Sequence, residues 1–161
     1  MLLPHEFFAC VYQHYNAHFQ ATMVGSESAV DFWANFVHSP AWTQHSASAL
    51  GITDFSKVVP LGLHGDGVAM TGIGRAGAHS ATVLNFSSLL TSGPTIDYCF
   101  VISMLWHTVA EAGHMNEVWQ VLAWSFYWLQ RGTWPQRDHK GRRFPDGSRG
   151  ARIAFSCCHA T

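Results

Sequence analysis

The strongest constraint on how this chain folds lies at residues 114–131. Met115, Val118, Trp119, Leu122, Phe126 and Leu129 recur there at helical spacing, and Trp124 and Trp128 widen the stripe. Arg131 suits the negative end of a helix dipole, and Gly132 suits the left-handed position that ends a helix. An apolar stripe this broad has to be buried against a second layer of structure.

Upstream residues supply candidates for that layer. Pro4 is tolerated in a first helical turn, where its missing N–H would have no partner in any case. Phe7, Phe8, Val11, Tyr12, Tyr15, Phe19 and Met23 then predict one amphipathic helix ending near Gly25. Ser28 followed by Asp31 predicts a capping box that opens a second helix through Val30, Trp33, Phe36 and Val37, stopped by Pro40. Residues 39–56 read as loop. Lys57 to His64 is the best strand candidate, with Pro60 arguing for an edge or a bulge. Gly65-Asp66-Gly67 reads as a tight turn, and residues 68–80 as a loop or loose hairpin. Ser80 to Phe86 and Tyr98 to Leu105 are further strand candidates, the second equally compatible with helix. A short strand is also expected at Ala151 to Cys157. The expected fold class is α/β, with N-terminal helices, a small mixed sheet and a long amphipathic helix. It is expected as a single domain over 1–161: a helical part at 1–56, a sheet-plus-helix core at 57–131 and a basic tail at 132–161.

Composition limits the function classes. Hydrophobic residues make up 48% of the 161, too many for a disordered chain. Charged residues are only 12%, about half the usual share, beside seven Trp and eleven Phe. Either these rings fill an aromatic core, or part of the apolar surface is covered by another protein. The densest apolar stretches, Cys99 to Trp106 and Val118 to Leu129, fall short of the roughly 18–20 residues that cross a bilayer, so no membrane association is expected. The start of the chain lacks the pattern of a signal peptide. Cys10, Cys99, Cys157 and Cys158 show no disulfide-scaffold spacing, which favours a reducing, intracellular setting.

Charge is unevenly distributed. Residues 1–130 carry two basic side chains (Lys57 and Arg75) against eight acidic ones. Residues 131–161 carry seven basic side chains against two acidic ones, so a net charge of −1 conceals a basic tail on an acidic body. In that tail Trp134, Arg137, His139, Lys140, Arg142, Arg143 and Phe144 interleave cations with rings, and Arg149 follows. Such a pattern fits a groove that tracks a nucleic-acid backbone, and it equally fits a solvated irregular loop.

Among residues that could carry catalysis, Asp66 stands first. A carboxylate between two glycines at a strand exit can approach a metal or phosphate without obstruction, and His64 would share its face. An ordinary Gly-Asp-Gly turn accounts for the same residues. His14 and His18 lie four apart on one helix face but lack the zinc-protease glutamate, and Cys157-Cys158-His159 lacks C-x-x-C spacing. Gly72-Ile73-Gly74-Arg75-Ala76-Gly77 is only a partial phosphate-loop pattern, and no G-x-S-x-G nucleophile elbow occurs.

The run Val58-Val59-Pro60-Leu61-Gly62-Leu63-His64-Gly65-Asp66-Gly67 carries a resemblance, together with Ser87-Ser88-Leu89-Leu90, Trp124-Ser125-Phe126 and Gly132-Thr133-Trp134-Pro135. Over roughly residues 31–153 the chain resembles a family of uncharacterised multicopy protist proteins, themselves similar to ribonuclease-H-like transposases of the DDE type. The most specific segment is Pro60 to Gly67. The resemblance implies a partial ribonuclease-H-like core from a mobile element, DNA as partner and a nuclear location. It makes Asp66 the first catalytic acid and a ligand of Mg²⁺; with DNA as partner, the basic tail read above supplies Arg137, Lys140, Arg142, Arg143 and Arg149 as the expected nucleic-acid contacts. Two-metal strand transfer needs several carboxylates around ions about 4 Å apart. Asp97, Glu111, Asp138 and Asp146 offer no evident strand-end partner for Asp66, so the expectation is an incomplete, inactive portion of such an enzyme. The alternative is a protein-interaction module that docks through its aromatic helices and carries out no catalysis.

Overall fold

A computed structural model describes residues 1–71, 79–106 and 113–145. Six α-helices and three strands occur there: α1 (Pro4–His14), α2 (Asn16–Phe19), α3 (Ala29–Phe36), α4 (Ser46–Ala49), β1 (Leu61–Thr71), β2 (His79–Ser88), α5 (Thr95–Tyr98), β3 (Phe100–Trp106) and α6 (His114–Arg131). The strands form one sheet in the order β1-β2-β3, so the mixed α/β class is as expected. The sheet is antiparallel and not mixed, because each described strand pairs with its neighbour in sequence.

The expected first helix is interrupted. Tyr15, at φ −135° and ψ 49°, separates α1 from α2, and a π-helical turn at Gln20–Val24 follows. Neither glycine nor proline marks that break in the sequence. The end of the run is where expected, at Gly25, with φ 64°. Ser28 caps α3, its hydroxyl accepting from the Asp31 amide at 3.2 Å. Residues 39–56 are more regular than a loop: Pro40–Gln44 forms a 3₁₀ turn, and α4 follows.

The first strand is displaced toward the C-terminus. Residues 57–60 precede β1, and the strand runs straight through Gly65, Asp66 and Gly67. Neither glycine has positive φ, so the expected tight turn is absent. The Leu89 amide donates to the Pro60 carbonyl at 2.9 Å and closes the open end of the β1–β2 hairpin. The described ends of residues 68–80 are strand, and 72–78 lie outside the described residues. Strand β2 buries Leu84, Phe86 and Ser88 in alternation, as a half-buried strand does. The ambiguous run before residue 105 is β3, preceded by the single-turn α5.

The chain forms two compact units, and α1 and all three strands contribute residues to both. The first comprises the described residues of Met1–Cys10, Gly67–Val83 and Ile102–Thr161. Its buried groups include Pro4, His5, Ala81, Ile102, Leu122 and Ser125. The Leu2 amide donates to the Ile102 carbonyl at 2.8 Å, tying the N-terminus to β3.

The second unit comprises Val11–Asp66 and Leu84–Val101. Phe19, Met23, Trp33, Leu84, Phe86 and Leu90 are buried in it. The Ser88 hydroxyl donates to the Met23 carbonyl at 2.6 Å and accepts from the Leu90 amide at 3.1 Å, which satisfies a buried polar group. Trp33 donates its indole N–H to the Val58 carbonyl at 2.8 Å, and its ring meets Phe36, Trp42, His45 and Phe55. Of the two expectations for the aromatic content, an aromatic core or a covered surface, this cluster is the first. Gly25 is required, because a β-carbon there would lie 2.2 Å from the Leu90 carbonyl oxygen.

Phe86 is 1% exposed and its ring lies 5.6 Å from Phe100. Replacing it with Ala is expected to cost about 3–5 kcal/mol in denaturant unfolding. Val101→Ala, on an exposed position of β3, stays within about 0.5 kcal/mol of wild type. Equal effects of the two substitutions would contradict this placement of the core.

Candidate functional site

Asp66 lies midway along β1 and is exposed. A β-carbon at Gly65 would come within 2.9 Å of Leu84 Cδ2, whereas at Gly67 nothing lies within 4 Å. Gly65 therefore admits the Leu84 side chain, and the space at Gly67 lies on the face of the strand opposite Asp66. His64 is exposed too, and strand alternation puts it on the same face as Asp66. Among the described residues, no group of three or more His, Cys, Asp or Glu side chains could hold a metal ion. Asp97 is exposed on α5, and Asp138 is engaged elsewhere as set out below. Glu111, Asp146, Arg149, the Gly72–Gly77 segment and the residues from 151 onward lie outside the described residues.

The described part of the basic segment folds into a tight turn. The Asp138 amide donates to the Arg142 carbonyl at 2.8 Å, and the Gly141 amide donates to the Asp138 carbonyl at 3.0 Å. Gly141 sits at φ 77°, where a side chain would be strained. The Asp138 carboxylate organises the turn from inside. One oxygen accepts from the Lys140 and Arg142 amides, each at 2.9 Å, and the other accepts from the Arg142 guanidinium at 2.9 Å. Partial burial works to raise the pKa of this carboxyl, but the hydrogen bonds from Arg142 and Lys140 outweigh it, so Asp138 titrates below its ordinary range. At the base of the turn, Arg137 and Arg143 face each other across an antiparallel bridge, and Arg137 Nη1 donates to the Gly141 carbonyl at 3.0 Å.

Three contacts fix this segment to the helices of its unit. Lys140 Nζ lies 2.9 Å from Glu117 Oε1 on α6, and the hydrogen bond and charge of Lys140 lower the Glu117 pKa. The His139 ring lies edge-on to Trp124 of α6, with centroids 6.4 Å apart. The Trp134 ring lies 5.3 Å from that of His5 on α1. The ion pair is exposed and screened by solvent, so ring packing carries most of the docking.

His5 is the centre of this packing. It is 5% exposed, stands edge-on to Trp124 at 5.0 Å, and its Nδ1 is 2.7 Å from the hydroxyl of the fully buried Ser125. Burial lowers its pKa from 6.5 to about 4, so it is neutral at neutral pH. The sequence reading did not single out His5. Its partner lies 120 positions away, and no local pattern signals such a contact. The second unit holds a shallow cavity of about 270 Å³, lined by Ala21, Gly25, Ser26, Thr91, Ser92 and Tyr98, with no acid or base in its lining.

Searches of protein-family models, curated proteins and solved structures find no match to this chain.

The neutral His5 makes stability depend on pH. Its folded pKa lies below its unfolded one, so in the interval between them the unfolded chain binds more protons. Its contribution is complete above pH 6.5 and is lost as pH falls toward about 4. The loss reaches on the order of 2–3 kcal/mol at the lower end. His5→Gln should flatten the stability profile between those two pH values in denaturant titrations. An unchanged slope in the variant would contradict a buried neutral imidazole.

Proposed function

We propose that this chain is a nucleic-acid-associated domain of transposase descent, which holds DNA through the cations of its basic segment and performs no strand transfer itself. The charge balance of the docked turn carries the reading. Lys140 is paired with Glu117 and Arg142 with Asp138, while Arg137 and Arg143 have no acidic partner among the described residues. Two cations remain for phosphate on a segment packed against α1 and α6.

Support for the descent comes from the residues of the Pro60–Gly67 run and from the element order, an antiparallel sheet followed by a long helix, which suits a partial ribonuclease-H-like core. Within this reading Asp66 is a relict of the acid that binds Mg²⁺ in such enzymes. Its exposure suits that role. In this reading the chain binds nucleic acid and does not cut it. A nuclear location follows from the same reading.

A second reading is a protein-docking module, favoured by the exposure of Tyr12, Tyr15, Trp119 and Tyr127 on the helical segments. Salt separates the two. Duplex DNA binding through these cations should weaken at least about threefold between about 50 and 200 mM salt. Absence of DNA binding, or binding indifferent to salt, would leave the docking module as the better account. In a parallel Mn²⁺ titration, paramagnetic broadening centred on residue 66 is expected, and Asp66→Asn should abolish it. Broadening that persists in the variant would remove Asp66 from the metal role.

A further inference from the structure

We infer that Arg137 and Arg143 form a two-guanidinium clamp for a single phosphate group, and that Lys140 and Arg142 are structural residues of the turn rather than ligand contacts. Residues directly opposed across an antiparallel bridge project to the same side, with β-carbons about 5 Å apart. Like charges in that position repel each other. Here no carboxylate among the described residues relieves the repulsion, since Asp138 serves Arg142 and Glu117 serves Lys140. An oxyanion bridging both guanidiniums would relieve it, and the planar fork of arginine matches phosphate oxygens two at a time. The clamp is built in advance, because the Asp138 hydrogen bonds and the left-handed Gly141 fix the turn, and the bond from Arg137 to Gly141 holds one arm.

The rings of the segment refine the ligand. Trp134 and Phe144, interleaved with the cations in sequence, are both half-buried, and Trp134 packs on His5. A Trp134 ring packed on His5 is a poor platform for unpaired bases, which favours a phosphate of the duplex backbone over a stacked single strand. For the source of that phosphate, the inference rests on the nucleic-acid reading above. Its anion chemistry does not.

The test uses the full chain, inorganic pyrophosphate and a short DNA duplex of mixed sequence. Arg137→Lys/Arg143→Lys keeps the charge but removes the fork, and Arg143→Lys alone spares the bond to Gly141. Circular dichroism and melting confirm that each variant folds. Both variants are expected to bind pyrophosphate and duplex at least about fivefold more weakly, while Lys57→Gln, which removes a cation of the second unit, binds as wild type does. Duplex binding retained in full by the Lys variants would overturn the clamp and leave the nucleic-acid reading standing. Pyrophosphate binding that needs both arginines, without any duplex binding, would support the clamp and overturn the nucleic-acid reading. No binding of either probe would overturn both.

Discussion

His5 ties the first turn of α1 to α6 and to the basic segment that follows it, with a partner 120 positions further along the chain. Its ring bonds Ser125 on α6, faces Trp124 edge-on and packs against Trp134 of the basic segment, all from the first turn of α1. Such contacts stabilise only when the polar atoms are satisfied, and the 2.7 Å bond to Ser125 provides that. Protonation would put a charge on a ring that is 5% exposed, and the cost of desolvating that charge is what lowers its pKa to about 4. Keeping this histidine neutral is therefore the condition for holding α1, α6 and the basic segment together.

The candidate site follows from that arrangement together with a shortage of charge. With charged residues at 12% of the chain, each pairing is informative. Two of the four described cations of the 137–143 turn are spent on Asp138 and Glu117. The remaining two face each other. A basic segment that looks uniformly cationic in the sequence thus separates into two cations paired with acids and two without an acidic partner among the described residues, and only hydrogen-bond geometry makes the distinction.

Local rules read well from the sequence. Helix α6, its Gly132 end, the Ser28 cap and the Gly25 stop all follow from periodicity and capping chemistry. The reading failed where longer-range context decides. Gly65-Asp66-Gly67 has the composition of a turn, yet pairing with β2 holds it extended. Tyr15 breaks a helix that its own spacing would continue. Of the site, Arg137, Lys140, Arg142 and Arg143 were legible as a cluster, but the roles within it were not, because Glu117 lies 23 residues before Lys140. Arg149 stays outside the described residues. Asp66 was legible from its glycine neighbours, and its place on the strand was not.

Nitrogen-15 NMR of the arginine Nε–Hε groups, recorded while a short DNA duplex is added, addresses the central claim most directly. This account predicts that the Arg137 and Arg143 signals shift and sharpen on binding, while the Arg142 signal, already held by Asp138, stays in place. A shift of Arg142 with Arg137 and Arg143 unmoved would contradict the division of roles within the turn.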